Sequence, residues 1–146
     1  MRVQFLNPPP QLGGPGTFQI AISECLVSYG HCIDIYPSMS RPDVIFVISG
    51  TRRLAWLIFN KLHGVKIVQR IDGYNWRSLA ESESLYHYFK TRIQNIIIYI
   101  IRKYLADVIV YQSSYINSVW DNKFGIVKTD HTIIHNSAAK AFFLNQ

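Results

Sequence analysis

The stretch Asp43-Val44-Ile45-Phe46-Val47-Ile48-Ser49 decides the fold class of this chain. Its apolar residues form a continuous run instead of alternating with polar ones, which is typical of a parallel β-strand buried on both faces. The sequence after it predicts a helix over 52–63, ended by Gly64, and a further strand over 65–71. This strand–helix–strand unit indicates parallel strands joined by a right-handed crossover.

The same alternation continues in both directions from this unit. Apolar residues at three- and four-residue steps predict helices, and apolar runs between turn residues predict strands. The additional strands are predicted over 3–6, 31–36, 106–111 and 129–135, and the additional helices over 17–29, 82–104 and 113–124. Thr17 is predicted as the N-cap of the first helix. Together the elements predict an α/β fold over residues 1–146, a single domain with a Rossmann-like parallel sheet flanked by helices.

The long helix over 82–104 has one apolar face. Basic and amide residues lie largely off that face, at positions such as Lys90 and Gln94. Its apolar residues follow each other at three- and four-residue steps; they are Leu85, Phe89, Ile93, Ile96, Ile97, Ile100 and Tyr104.

The composition indicates a folded chain with a basic balance. Of 146 residues, 49% are hydrophobic and 16% are charged, which excludes intrinsic disorder because disorder needs low hydrophobicity and high net charge. Lys plus Arg is 15 and Asp plus Glu is 9, so the net charge is +6. This balance favours an anionic partner, which is nucleic acid, a phosphorylated ligand or an acidic membrane surface, while a merely soluble basic protein stays open as the alternative.

Several classes of protein are disfavoured. The basic residues are spread over two regions, 52–66 and 90–103, without a recognition motif, so nucleic acid is disfavoured against a membrane surface. Cys25 and Cys32 are too few for a disulfide framework and lack the spacing of a zinc site. The N-terminal apolar run is too short for a signal peptide, and the stretch 93–101 is too short to span a bilayer. We therefore expect a cytoplasmic chain, with contact at the cytoplasmic membrane face left open.

Ligands of open parallel sheets bind beyond the carboxyl ends of the strands, which directs attention to four loops. The first, over 7–16, carries Gly13, Gly14 and Gly16 before a helix, where free backbone N–H groups favour an anion or polar ligand. It matches neither the Walker loop nor the dinucleotide fingerprint, and a tight structural turn stays open as the alternative.

The other three loops also carry polar side chains. Asp72 ends the fourth strand and is followed by Gly73; its carboxylate could accept a proton or hold a substrate hydroxyl, or only cap a turn. Arg70 could form an ordinary ion pair. Ser113 could bind a ligand or cap the next helix. His135 precedes Asn136 after the sixth strand, and a structural role is favoured for that histidine.

Four segments in chain order resemble family 4 glycosyltransferases. Asn7-Pro8-Pro9 through Gly13-Gly14-Pro15-Gly16-Thr17 resembles the glycine-rich loop after the first strand of that family. Val68-Gln69-Arg70-Ile71-Asp72-Gly73 resembles a subgroup with Arg-x-Asp-Gly at the end of the fourth strand. Two further segments are similar to the family segments around the last two strands. They are Ala106-Asp107-Val108-Ile109-Val110-Tyr111-Gln112-Ser113 and Ile133-Ile134-His135-Asn136.

The resemblance implies the N-terminal half of a GT-B fold, in which two Rossmann-like domains face each other across a cleft. This half carries the acceptor site, and the other half holds the nucleotide-sugar donor. The chain is therefore expected to lack the donor-binding domain, to be inactive alone and to need a separate donor domain as partner. The implied reaction moves a sugar to a glycan or lipid-linked acceptor. No cofactor and no metal ion are expected.

The resemblance also implies roles for individual residues. Asp72 is the candidate base or the group that orients the acceptor hydroxyl. The loop near the donor phosphates or the acceptor is formed by Gly13, Gly14, Gly16 and Thr17. The candidates for the acceptor side are Gly73, Asn75, Arg77, Ser113 and Asn136. Two other interpretations stay open, a non-catalytic α/β binding module and a stand-alone nucleotide-binding protein.

Overall fold

Six short strands and four helices alternate along the chain in the computed structural model, which describes residues 1–10, 14–36, 40–75 and 85–136. The strands are β1 (Arg2–Phe5), β2 (Cys32–Ile35), β3 (Val44–Ile48), β4 (Lys66–Ile71), β5 (Val108–Tyr111) and β6 (Asp130–Ile133). The helices are α1 (Gly14–Ser28), α2 (Leu54–Leu62), α3 (Leu85–Ile100) and α4 (Ser114–Phe124). A π-helical turn, Ile101–Leu105, continues α3.

The strands form one parallel sheet in the order β2-β1-β3-β4-β5-β6. The predicted Rossmann-like α/β fold is thereby confirmed. The register aligns Phe5 with Phe46 and Ile48 with Arg70, so the strands end at a common edge. From β1 the chain passes to β2 on one side and later to β3 on the other, and this reversal opens a crevice between the carboxyl ends of β1 and β3.

The first helix begins earlier than the sequence predicts. It starts at Gly14, so Thr17 lies inside the helix and is not its N-cap. Pro15 suits the first helical turn, because the proline lacks an N–H group that would have no partner there. The loop predicted over 7–16 is therefore wrong at its end, since residues 14–16 belong to α1, and the three residues 11–13 lie outside the described residues.

The two faces of the sheet pack differently. On one face, Val3, Phe5 and Phe46 pack with Phe18 of α1. The other face packs against α2, the end of α3 and α4, with Leu57, Ile101 and Trp120 among the buried contacts. Successive strand residues point to opposite faces, so the apolar runs found in the sequence fill both layers.

A buried arginine anchors the π-helical turn. The Arg102 Nε donates to the hydroxyl of Tyr111 at 2.7 Å, and its Nη1 donates to the carbonyl of Gly125 at 3.0 Å. Its Nη2 pairs with Asp121. Burial raises the pKa of Tyr111, and Arg102 offsets this only in part. These contacts join the end of α3 to β5 and α4.

The apolar stripe on the long helix follows the predicted spacing but does not face the core. Thr91, Asn95 and Ile98 are the buried residues of α3. Most residues of the stripe are exposed, namely Leu85, Phe89, Ile93, Ile96 and Tyr104. An amphipathic helix normally buries such a stripe, so α3 presents the opposite side to the sheet.

The carboxylate of Asp107 ties the amino ends of two strands together. It accepts from the backbone N–H of Ile67 at 2.9 Å and pairs with Lys61 at 2.8 Å. Burial by itself raises the pKa of Asp107, but the hydrogen bonds from Lys61 and Ile67 outweigh burial, so the pKa lies below its ordinary value. The ionised carboxylate therefore stabilises the fold at neutral pH and loses that effect as the pH falls below about 4.

We predict that Asp107→Asn lowers the free energy of unfolding by about 1 kcal/mol at neutral pH, because the charge-assisted contacts are weakened. The difference from the parent chain should shrink as the pH falls below about 4, where the parent carboxylate also becomes protonated. Urea unfolding at several pH values measures both effects. Asp130→Asn, at an exposed position, is the control. A difference that stays constant down to low pH would contradict the prediction.

Candidate functional site

A buried arginine connects three segments at the carboxyl edge of the sheet. Arg70 Nε donates to Asp72 Oδ1 at 2.6 Å, just beyond the end of β4. Arg70 Nη2 donates to Asn136 Oδ1 at 2.6 Å, and Nη1 donates to the carbonyl of Ile134 at 3.1 Å, both after β6. The loops carrying the sequence candidates Asp72 and Asn136 thus meet through a residue for which the sequence indicated only an ordinary ion pair.

The environment of Arg70 explains how a charged side chain is held inside the fold. Arg70 has no exposed surface, and its guanidinium lies 3.5 Å from the centre of the Phe18 ring of α1. A buried charge is tolerated only when it is paired and its N–H groups are satisfied. The planar guanidinium meets both needs by stacking on the ring and donating along its edges.

Asp72 keeps one carboxylate oxygen without a partner. Its Oδ1 is held by Arg70, whereas its Oδ2 is buried and has no hydrogen-bond partner among the described residues. A buried acceptor without a donor is uncommon in folded proteins and is unfavourable. Asp72 Oδ2 is therefore an acceptor for which the described residues supply no donor.

The beginning of α1 packs tightly against this edge. A Cβ atom on Gly16 would lie 2.1 Å from the carbonyl oxygen of Pro10, and one on Gly14 would lie 2.9 Å from Nδ2 of Asn136. Only glycine fits at either position without displacement of its neighbour. The first turn of α1 is thereby held beside Asn136, while Thr17 is exposed. Gly13 lies outside the described residues.

The crevice between β1 and β3 contains features that the sequence analysis missed. Ser49, directly after β3, has a φ of 60°, which is uncommon for a residue other than glycine. Its carbonyl accepts from Gln69 Nε2 at 2.8 Å, and its N–H donates to the carbonyl of Arg70 at 2.7 Å. Strained backbone of this kind persists where the surrounding contacts enforce it, often at functional sites. No sequence pattern would have indicated Ser49.

Arg53 forms the opposite wall of the crevice. Its Nη1 donates to the carbonyl of Leu6 and to Asn7 Oδ1, each at 2.8 Å. The guanidinium lies 4.3 Å from the centre of the Tyr36 ring. This arginine fixes the start of the loop after β1 and leaves a polar entrance to the crevice.

A groove of about 1130 Å³ extends from the crevice along α3. One side is polar and basic, with Asn7, Ser49 and Arg53. The α3 side carries apolar residues such as Phe89 and Ile97, and also Lys90 and Gln94. The sequence candidate Asn75 also lines the groove. The Asn75 backbone N–H donates to Oδ1 of the buried Asn95 at 3.4 Å, and Asn95 Nδ2 has no partner among the described residues. The groove can accommodate a ligand that combines polar and apolar parts.

The remaining candidates have structural roles or lie outside the described residues. The Gly73 carbonyl accepts from Trp120 Nε1 at 3.2 Å. Ser113 is the N-cap of α4, where its Oγ accepts from the N–H of Ile116 at 3.3 Å, so the capping role of this residue is confirmed. Arg77 falls in the segment 76–84, which lies outside the described residues. Within the part of the chain that the structure describes, no cluster of His, Cys, Asp and Glu is arranged to hold a metal ion.

Comparisons with protein-family models, with curated proteins and with solved structures find no match to this chain. Its function is therefore inferred from the residues and their geometry.

We predict that Gly16→Ala destabilises the chain by about 2 kcal/mol, because its methyl group would overlap the carbonyl of Pro10. Urea unfolding measures the loss. Gly73→Ala is the matched control, since a Cβ there meets no atom within 4 Å, and it should change stability by less than about 0.5 kcal/mol. Equal effects of the two substitutions would show that the contact between Gly16 and Pro10 does not limit the first loop.

We predict that Arg70→Met lowers stability by about 3 kcal/mol, because it leaves the carboxylate of Asp72 without its cation. Adding Asp72→Asn should recover part of that loss, since the unpaired charge is then removed. A double-mutant cycle measured by urea unfolding gives the coupling between the two residues. Additive effects of the two substitutions would contradict a coupled pair.

Proposed function

We propose that this chain is the acceptor-side domain of a glycosyltransferase, which moves a sugar from a nucleotide-sugar donor to a glycan or lipid-linked acceptor. The observation that carries the proposal is the buried, unpartnered Oδ2 of Asp72 beside Arg70. Support comes also from the four segments that resemble family 4 glycosyltransferases, because two of them meet at the Arg70 cluster, defined by Arg70, Asp72 and Asn136.

The proposed role of Asp72 is to bind and orient the acceptor hydroxyl. Arg70 fixes one carboxylate oxygen, so the other oxygen has a defined direction and can accept a hydrogen bond from the hydroxyl. In the proposed transfer, the hydroxyl oxygen forms a bond to the anomeric carbon of the donor sugar. The bond from that carbon to the nucleoside diphosphate breaks, and its electron pair leaves with the diphosphate. The hydroxyl proton passes to Asp72 Oδ2, which acts as the base.

The proposal places the donor on a separate domain, so the chain alone binds acceptor without transferring sugar. The N-terminal turn of α1 offers backbone N–H groups to the phosphates of a donor held opposite, and no metal ion or cofactor is included. The proposed location is cytoplasmic, with contact to the membrane surface where the acceptor is lipid-linked. None of the helices that the structure describes is long and apolar enough to cross a bilayer.

We predict that the chain binds simple glycosides and that Asp72→Asn weakens this binding at least about tenfold, because the amide cannot accept the same charge-assisted hydrogen bond. Saturation-transfer NMR with methyl glucoside and methyl mannoside measures the affinity. Asp130→Asn is the control for loss of one negative charge, and circular dichroism checks that each variant is folded.

The same measurement with nucleotides distinguishes the proposed function from its two alternatives, a non-catalytic binding module and a stand-alone nucleotide-binding protein. UDP, AMP and UDP-glucose should bind more weakly than the glycosides when the chain holds only the acceptor. Tight binding of a nucleotide, without glycoside binding, would instead identify a stand-alone nucleotide-binding protein. Flat titrations with every glycoside and nucleotide sugar would remove the proposal and favour a non-catalytic binding module.

A further inference from the structure

Helix α2 turns its apolar stripe toward solvent. Ala55, Ile58, Phe59 and Leu62 follow the i, i+3, i+4, i+7 spacing that normally faces a core, yet all four are exposed. Leu62 is 80% exposed, whereas the polar Asn60 is 3% exposed. Leu57 of the same helix is buried in the core, so α2 is apolar on both sides, and the side that faces solvent is suited to a partner.

Helix α3, which lies beside α2, also exposes an apolar stripe. Both helices pack on the same face of the sheet, where Leu57 of α2 and Ile97 of α3 contact one core cluster, and α2 also contacts the π-helical turn. Their exposed apolar residues therefore lie on one layer. We call this layer the α2–α3 face, defined by the exposed residues Ile58, Phe59, Leu62, Leu85, Tyr86, Phe89, Ile93, Ile96 and Tyr104.

The charge on this face has one sign. The segments 52–71 and 85–105 contain no Asp or Glu. Lys61 and Lys66 pair with Asp107. Several other cations of these segments form no ion pair with a carboxylate among the described residues, and Arg52, Lys90, Arg92 and Lys103 are among them. An apolar surface bordered by uncompensated basic side chains is complementary to a surface that is both apolar and anionic.

We propose that the α2–α3 face docks on the surface of an anionic lipid bilayer. Its apolar side chains enter the boundary between headgroups and acyl chains, and its lysines and arginines contact the lipid phosphates. A second copy of the chain fits less well, because two such faces would bring like charges together. The inference does not rest on the proposed glycosyltransferase function, since vesicle binding and glycoside binding are measured separately.

Docking through the α2–α3 face also changes the surroundings of the groove. Phe89 and Ile93 belong to the α2–α3 face and also line the groove that leads to the crevice between β1 and β3. A chain docked in this way therefore places one wall of the groove against the lipid. A ligand with an apolar tail can then enter the groove from the bilayer without crossing water.

Flotation with lipid vesicles tests the proposal. The chain should float with phosphatidylcholine vesicles that contain about 30% phosphatidylglycerol, because the basic side chains supply much of the attraction. With vesicles of pure phosphatidylcholine it should remain in the bottom fraction of the gradient. Binding to the anionic vesicles should fall steeply as the salt concentration rises.

Paired variants test which surface is used. Lys90→Glu combined with Arg92→Glu should weaken vesicle binding at least about tenfold, while Lys123→Glu combined with Lys128→Glu makes the same charge change and should have little effect. Phe89→Asn should weaken binding about fivefold. Val27→Asn on α1 is its control, since Val27 is 57% exposed and Phe89 is 58% exposed on opposite faces of the sheet.

Three results would overturn the proposal. The first is absence of vesicle binding, or equal binding to neutral and anionic vesicles. The second is an equal effect of face variants and control variants, with circular dichroism showing that all are folded. The third is a concentration-dependent dimer in sedimentation that Phe89→Asn dissociates, because the α2–α3 face would then be an interface between two copies of the chain.

Discussion

The carboxyl edge of the sheet depends on one buried guanidinium. Arg70 has no exposed surface, and its N–H groups reach the carboxylate after β4 and the carbonyl and amide after β6, while its plane stacks on α1. A charge in this position requires all of these partners together. The relative positions of Asp72, Asn136 and Phe18 therefore follow from the need to satisfy a single side chain.

The same constraint leaves the site polar and preorganised. Since Arg70 occupies only one oxygen of Asp72, the other oxygen is buried without a donor. The backbone of Ser49 is held at positive φ by Gln69 and by the carbonyl of Arg70, and Gly16 lets the first loop approach the beginning of α1. Polar contacts between neighbouring strand ends thus fix the edge where a ligand would bind.

The helices α2 and α3, on the other face of the sheet, are packed differently. Asn60 and Asn95 face inward, whereas the apolar stripes of α2 and α3 face outward next to basic side chains. Exposed apolar surface is unfavourable in water and becomes favourable when a partner covers it. The groove connects this helical layer with Asn7, Ser49 and Arg53 at the crevice, so a ligand with a polar head and an apolar tail would contact both.

The sequence by itself determined the alternation of strands and helices, because apolar runs, glycines and prolines act locally on the backbone. It also indicated Asp72 and Asn136 as loop residues at strand ends. Only the tertiary structure decided that Arg70 joins them and that Ser49 is strained, since both depend on the spatial order of strands distant in sequence. The tertiary structure likewise decided which side of α2 and α3 faces the sheet. A periodic stripe specifies a helix face, but the packing of the whole layer selects whether that face is buried.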